Sequence, residues 1–137
     1  MIKEIFDLNK LEKQWDVEGI TDFKRDSDFN IFQDIQSARG EFIGYYSTFE
    51  KLDLFRDRLG ARNLYYSINC PKVFVSTDIL WVLKNCGYEK KLNMNYIVSQ
   101  YLEFQVPFGR ETIYQDIHKV MPGEIVTIGQ DGHASYF

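Results

Sequence analysis

The 137-residue sequence has few of the side chains that most often carry chemistry. It contains two cysteines, two histidines and three prolines. Cys70 and Cys86 have no second Cys or His near either of them, whereas a disulfide framework or a zinc site requires four ligands at short spacings, so the sequence predicts reduced thiols. Neither His118 nor His133 lies beside a nucleophile signature, so no Ser-His or Cys-His pair is predicted.

Charge and hydropathy exclude two further classes. Sixteen Lys+Arg against twenty Asp+Glu give a net charge of −4, which argues against a nucleic-acid surface driven by phosphate attraction. No apolar run approaches the roughly 20 residues of a membrane helix. The first ten residues, MIKEIFDLNK, carry acidic side chains where a signal peptide is apolar. We therefore expect a cytoplasmic protein with no membrane and no nucleic-acid partner.

The chain also lacks a glycine-rich phosphate loop. Its nearest segment is GQDG at 129–132, which is typical of a hairpin turn. In contrast, 45% hydrophobic and 16% aromatic residues exclude intrinsic disorder. This length and composition predict one domain, or one part of a larger one.

Cap residues and apolar spacing predict helices near the beginning of the chain and again after residue 76. Asp7 can cap a helix that ends near Gly19, with apolar residues at Leu8, Leu11 and Trp15. Ser27 and Asp28 can cap a second helix that stops at Gly40. Thr77 and Asp78 can cap a third helix, and Asn93 a fourth.

Short β-rich runs occupy the middle and the end of the chain. Four runs at 41–47, 51–56, 63–68 and 72–76 are so closely spaced that they favour an antiparallel meander. Two more runs, 124–128 and 133–137, flank the turn at 129–132 and predict a closing hairpin. Helices on an antiparallel sheet define the fold class as a layered α+β domain.

Several ordered blocks resemble one family. Residues 54–66 (LFRDRLGARNLYY) are similar to the R-D-x-x-G-x-x-P-L-Y-Y segment of asparagine synthetase-type glutamine amidotransferases, which are class II amidotransferases with the Ntn-hydrolase fold. Residues 74–79 resemble the family's F-A-S-E-I segment, and 102–123 its Y-L…P…E-T-I-F-x-x-I…P-G stretch. Ser27-Asp28 and residues 4–7 match two earlier blocks.

The resemblance implies an antiparallel-sheet α-β-β-α sandwich. Because the family pattern starts before this chain does, we expect residues 1–137 to form a partial glutamine amidotransferase-like domain, with an incomplete sandwich and no synthetase domain. The family's ATP-pyrophosphatase loop has no counterpart here. No cofactor is therefore expected on this chain, and ATP and Mg would belong to a partner synthetase domain.

The family pattern assigns substrate-binding roles to two acidic residues. Glu4 matches the glutamate of N-G-E, and Asp28 matches the aspartate that binds the glutamine α-amine. Both have simpler interpretations, since Glu4 can be an ordinary solvated residue and Asp28 a helix cap. The remaining family residues, Arg56, Asp57, Gly60 and Tyr66, are interpreted as a structural turn motif.

The catalytic residues of the family are missing from the matched pattern. Its nucleophile is a processed N-terminal cysteine, whereas residue two here is Ile2. The oxyanion-hole asparagine and glycine correspond to Ile2 and Lys3. A lost oxyanion donor typically costs about 3 kcal/mol of transition-state stabilisation. We therefore predict no catalytic residue, no metal site and no glutaminase activity.

Three hypotheses follow for the function of the chain. On the first, it is a degenerate amidotransferase-like pseudoenzyme domain with a role in asparagine biosynthesis. It would dock on an asparagine synthetase-like, ATP-dependent amide-forming subunit. Alternatively, it is a standalone module that uses its 20 Phe and Tyr residues to bind a peptide or small molecule. Thirdly, it is an excerpt of a full glutamine-hydrolysing asparagine synthase. Open sheet edges would also permit self-association.

Overall fold

The computed structural model describes residues 1–21, 31–103 and 109–137. Within these ranges, three helices alternate with nine strands in the order β1 (Lys3–Asp7), β2 (Gln14–Thr21), α1 (Ile31–Ser37), β3 (Gly40–Ser47), β4 (Lys51–Arg56), β5 (Tyr65–Asn69), β6 (Lys72–Ser76), α2 (Ile79–Asn85), α3 (Met94–Glu103), β7 (His118–Lys119), β8 (Ile125–Gly129) and β9 (Ala134–Tyr136).

The strands form two antiparallel sheets. We call the sheet of order β1-β6-β5-β7 sheet A, and the sheet of order β2-β3-β4-β8-β9 sheet B. The main hydrophobic core lies between them, because strands alternate their side chains and each sheet turns one apolar face inward. It joins buried residues of sheet A to those of sheet B, including Phe6, Tyr66, Val73, Val75, Ile43, Tyr45, Leu52, Leu54, Val126 and Ile128.

Helices cover the outer faces of both sheets. Ile35 of α1 packs on Phe42 and Phe55 of sheet B. Val82 of α2 packs with Phe74 of sheet A. The chain therefore forms the predicted α-β-β-α sandwich, with a separate small core between each helix layer and its sheet. Among the described residues, no helix combines the length and the apolar character that a membrane crossing requires.

The predicted helix between Asp7 and Gly19 is wrong. The chain turns after β1 and then forms β2, whose eight residues all pair with β3. Leu8 and Leu11 are buried in the main core from the connecting turn. The apolar residues of this segment are thus buried without forming a helix, because the pairing of β2 with β3 outweighs the local helical periodicity.

The four central strands are confirmed at nearly the predicted bounds, but they do not form one meander. β3 and β4 pair in sheet B, whereas β5 and β6 pair in sheet A. The segment between β4 and β5 carries the chain from one sheet to the other, and β4 takes β8 as its second neighbour.

The predicted caps of α2 and α3 and the closing hairpin are confirmed. The Asp78 side chain accepts a hydrogen bond from the Leu80 N–H at 3.0 Å. The Asn93 side chain accepts one from the Tyr96 N–H at 3.2 Å. β8 and β9 pair around the turn at 129–132. The predicted cap of the second helix, at Ser27 and Asp28, lies outside the described residues.

Candidate functional site

Glu4 lies on the inner face of sheet A. It belongs to β1, where the flanking residues Ile2 and Phe6 are 3% and 2% exposed. Because side chains two apart on a strand share a face, Glu4 points into the space between the sheets. The Phe6 ring packs edge-on against the Tyr45 ring of β3, with 4.9 Å between ring centroids.

Two further carboxylates face the same space from sheet B. Asp16 and Glu18 of β2 lie directly opposite the core residues Tyr45 and Ile43 of β3. A Glu18 carboxylate oxygen accepts a hydrogen bond from the Ile2 N–H at 3.3 Å. β1 and β2 are edge strands of their sheets. Glu4, Asp16 and Glu18 therefore form an acidic edge of the sandwich, and we use that name for these three residues.

The pKa of Tyr45 responds to the charge of this acidic edge. Burial raises the pKa of its hydroxyl to about 12, and the negative charges of Glu4 and then Asp16 add to the effect. The hydroxyl therefore stays protonated at neutral pH. Glu18 forms an ion pair with the N-terminal ammonium of Met1 at 2.8 Å. The carboxylates of Glu4 and Asp16, beside the neutral Tyr45 phenol, favour a further cationic group in this space.

Sequence reasoning found Glu4 but missed Asp16, Glu18 and Tyr45. The helix prediction for residues 7–19 concealed the alternation of β2, in which Asp16 and Glu18 share one face and Val17 packs on the other side of the sheet. Only the register with β3 shows which of these faces is turned inward. Asp28, the second predicted substrate-binding residue, lies outside the described residues.

Ile2 and Lys3, which the resemblance aligns with the family's oxyanion hole, do not supply a side-chain donor like its asparagine. The Ile2 side chain is aliphatic and is packed in the main core. Lys3 is exposed and pairs with Ser76 of β6. An oxyanion needs preorganised N–H or O–H donors at its position, and Ile2 provides none from its side chain.

Neither cysteine lies at the acidic edge. Cys70 is exposed in the turn between β5 and β6. Cys86 is 1% exposed and packs with Phe74 and Val82 on the outer face of sheet A. Both are free thiols. Among the described residues, no three His, Cys, Asp or Glu side chains are arranged to hold a metal ion.

Asp57 is a hydrogen-bond hub where the chain leaves sheet B. It is 2% exposed. One carboxylate oxygen accepts from the Phe42 N–H at 3.2 Å, and the other accepts from the N–H groups of Leu59 and Gly60 at 3.0 and 2.9 Å. Its backbone N–H donates to Phe42 and its carbonyl accepts from Gly123. Asp57 thus joins β3, the turn after β4 and the segment before β8.

Arg56 and Gly60 complete this hub. One terminal nitrogen of Arg56 donates to the Val120 carbonyl at 2.9 Å, and the other donates to the Gly60 carbonyl and the Asn63 side chain. Gly60 has a φ of +64°, and a Cβ there would lie 2.6 Å from the Pro122 ring. The sharp turn therefore requires glycine.

Tyr66 is separated from this hub. It lies in β5, is 1% exposed and belongs to the main core. Its ring lies 5.6 Å from the His118 ring, measured between centroids. Burial raises the pKa of its hydroxyl. The structure thus brings Arg56, Asp57 and Gly60 together and places Tyr66 between the sheets.

Two antiparallel sheets with helices on their outer faces match the Ntn-hydrolase-like fold of glutamine amidotransferase domains. Residues 4–137 match the sequence model of a family described as "Glutamine amidotransferase domain". The chain therefore belongs to this family. A comparison with curated proteins finds no match.

Two solved structures share the fold. One is the glutamine phosphoribosylpyrophosphate amidotransferase from B. subtilis complexed with ADP and GMP, with a TM-score of 0.52. The other is described as the allosteric regulatory enzyme of purine biosynthesis, with a TM-score of 0.50. In both, the likeness covers 84% of this chain at 16% identity, and 20% of the other chain. This chain therefore spans about a fifth of their length.

We predict that Asp57→Ala lowers the free energy of unfolding by about 3 kcal/mol, because it leaves the buried Phe42 N–H without its acceptor and frees the turn at Gly60. Urea denaturation measures the change. Asp7→Ala is the matched control, since Asp7 accepts one exposed N–H, from Asn9. It should cost less than about 1 kcal/mol. Equal losses in the two variants would contradict a hub at Asp57.

We also predict that Glu4→Gln lowers the pKa of Tyr45 from about 12 but leaves it above the ordinary value of 10.0, because burial is the larger cause. Between pH 10 and 12 the unfolded chain ionises Tyr45 first, so stability falls as the pH rises there. The variant should make that fall smaller. Tyrosine-selective ¹³C NMR titration follows the hydroxyl, with Tyr45→Phe to assign its signal.

Glu12→Gln is the control for this titration, since Glu12 is exposed in the segment between β1 and β2. It should leave the pKa of Tyr45 unchanged. If Glu4→Gln also left it unchanged, Glu4 would not face Tyr45, and the acidic edge would lose the residue contributed by sheet A.

Proposed function

We propose that this chain is a non-hydrolytic amidotransferase domain that docks on the ATP-dependent synthetase domain or subunit of an asparagine synthetase-like, amide-forming enzyme. The observation that carries the proposal is the contrast at residues 2–4. Glu4 lies in the acidic edge, while Ile2 and Lys3, which the resemblance aligns with the oxyanion hole, are a core residue and an exposed residue.

The acidic edge suits recognition of an amino acid but not cleavage of its amide. Glu18 is paired with the Met1 ammonium, so Glu4 and Asp16 are the carboxylates that would attract an α-ammonium group, and the neutral Tyr45 hydroxyl can donate a hydrogen bond. Amide hydrolysis additionally requires an activated nucleophile and stabilisation of the tetrahedral oxyanion. Cys70 and Cys86 both lie elsewhere in the fold.

An unburied apolar face supports the docking role. Met94, Val98 and Tyr101 of α3 follow the spacing i, i+4, i+7, which places them on one side of the helix. They are 57%, 45% and 80% exposed, and the adjoining Leu102 is 68% exposed. Contiguous exposed apolar side chains of this kind mark protein-interaction surfaces. We call the face formed by these four residues the α3 face.

The proposed partner would contain the phosphate chemistry. The family resemblance of the chain is to enzymes in which a separate ATP-pyrophosphatase domain activates the acceptor, and ATP and Mg would bind there. Tyr96 of α3 shares a cleft with Lys119 of β7, and β7 and β1 are the opposite edges of sheet A. A partner seated on α3 would therefore lie away from Glu4 of β1.

We predict that the purified 137-residue chain releases no ammonia from glutamine above a protein-free blank. A coupled glutamate dehydrogenase assay measures the release. An active class II amidotransferase in the same buffer is the positive control. The reason is chemical, since no described cysteine lies beside the acidic edge and Ile2 offers no side-chain oxyanion donor.

The double variant Cys70→Ala, Cys86→Ala makes this assay decisive. If the unmodified chain released ammonia and the double variant did not, one of these thiols would be a nucleophile. The non-hydrolytic proposal would then be refuted. Release that persists in the double variant at the same rate would indicate a contaminating glutaminase, and release by neither protein is the expected result.

A further inference from the structure

A cleft of about 550 Å³ opens between the helices over sheet A and the end of that sheet. Tyr65 of β5 and Lys119 of β7 line it from the sheet, and Ile79 and Tyr96 line it from α2 and α3. β7 and β1 are the two opposite edges of sheet A. The cleft is therefore distinct from the acidic edge at Glu4, and the proposed function makes no use of it.

Two cationic side chains line this cleft. Arg56 is 6% exposed, and Lys119 is half-buried. Burial and then the charge of Arg56 lower the pKa of the Lys119 ammonium, and burial also lowers the pKa of Arg56. Two positive charges that are both partly removed from water repel each other, and a bound anion would relieve that repulsion.

Arg56 and Lys119 differ in how many of their N–H donors are available to a ligand. The terminal nitrogens of Arg56 already donate to Val120, Gly60 and Asn63. Arg56 therefore contributes its charge. The Lys119 ammonium makes no ion pair within residues 1–21, 31–103 and 109–137. Its three N–H groups remain as donors for a ligand.

The rest of the lining selects the kind of anion. Glu111 also lines the cleft, so its lining residues carry two positive charges and one negative, a net charge of +1, and Asp57 behind the cleft offsets part of the Arg56 charge. That charge matches a monoanion better than a phosphate dianion, which Glu111 would repel. Ile79, Ile113 and Met121 supply an apolar wall. A carboxylate attached to an apolar or aromatic body fits both features.

The two tyrosines of the cleft fit the same ligand. Burial raises the pKa of the Tyr65 hydroxyl, Arg56 opposes this rise, and Tyr96 adds to it. The Tyr65 hydroxyl therefore remains protonated at neutral pH and can donate a hydrogen bond to a carboxylate oxygen. The ring of Tyr96 offers a flat surface for an aromatic body.

We propose that the cleft between α3 and the β7 edge of sheet A is a binding site for a small organic carboxylate. The Lys119 ammonium receives the carboxylate in the field of Arg56, and the wall formed by Ile79, Ile113 and Met121 receives its apolar body. This site belongs to the chain whether or not the acidic edge binds an amino acid.

Benzoate tests the proposal as a probe, with inorganic phosphate as the comparison. In an NMR titration of the full chain, benzoate should shift the amide signals of Tyr65 and Lys119 and raise the pKa of the Lys119 ammonium. Lys119→Met should weaken benzoate binding about tenfold, the usual effect of losing one charge-assisted hydrogen bond. Lys72→Met is the matched control, since Lys72 is exposed in β6, and it should leave the affinity unchanged.

Glu111→Gln tests the site in the opposite direction. It raises the net charge of the lining to +2, so benzoate should bind about threefold or more tightly. The proposal is overturned if benzoate leaves the cleft signals unchanged, if both Lys119→Met and Glu111→Gln bind it like the unmodified chain, or if phosphate binds in its place. Shifts confined to the separate cleft around Arg39 and Arg58 would also overturn it.

Discussion

The sandwich depends on the buried carboxylate of Asp57, which holds the point where the chain crosses from sheet B to sheet A. Its oxygens accept three backbone N–H groups, and one of these belongs to Phe42, which is itself buried beneath α1. Arg56 fixes the following turn to the segment before β8. This crossing lets the inner faces of the two sheets meet over a common core, in which Phe6 of β1 packs against Tyr45 of β3.

The sequence predicts local structure well where local chemistry determines it. The caps Asp78 and Asn93, the turn at 129–132 and the β-rich runs of the central strands all lie in the structure as predicted. The failures concern long-range pairing. The sequence predicts a helix where β2 lies, because the strand conformation of β2 depends on its pairing with β3. It also predicts one meander where the structure has two hairpins, because β4 and β5 belong to different sheets.

The candidate site could be predicted only in part, for the same physical reason. A motif resemblance identifies Glu4, but it says nothing about which neighbours share its space. Asp16 and Glu18 join Glu4 through strand register across two sheets, and no periodicity within residues 14–21 shows which face is inner. The α3 helix was predicted from its Asn93 cap and the apolar residues Tyr96, Ile97 and Leu102, but only the structure shows that the α3 face is exposed. The proposed function rests on these two features, the acidic edge and the exposed α3 face.

The most direct test of this account is to identify what the chain retains from its native source, by affinity capture and mass spectrometry. The account predicts recovery of an ATP-pyrophosphatase-type synthetase. That recovery should be lost with Tyr101→Glu on the α3 face and kept with Phe49→Glu, a control at an exposed residue in the turn between β3 and β4. Recovery of only further copies of this chain, or of an unrelated protein, would contradict it.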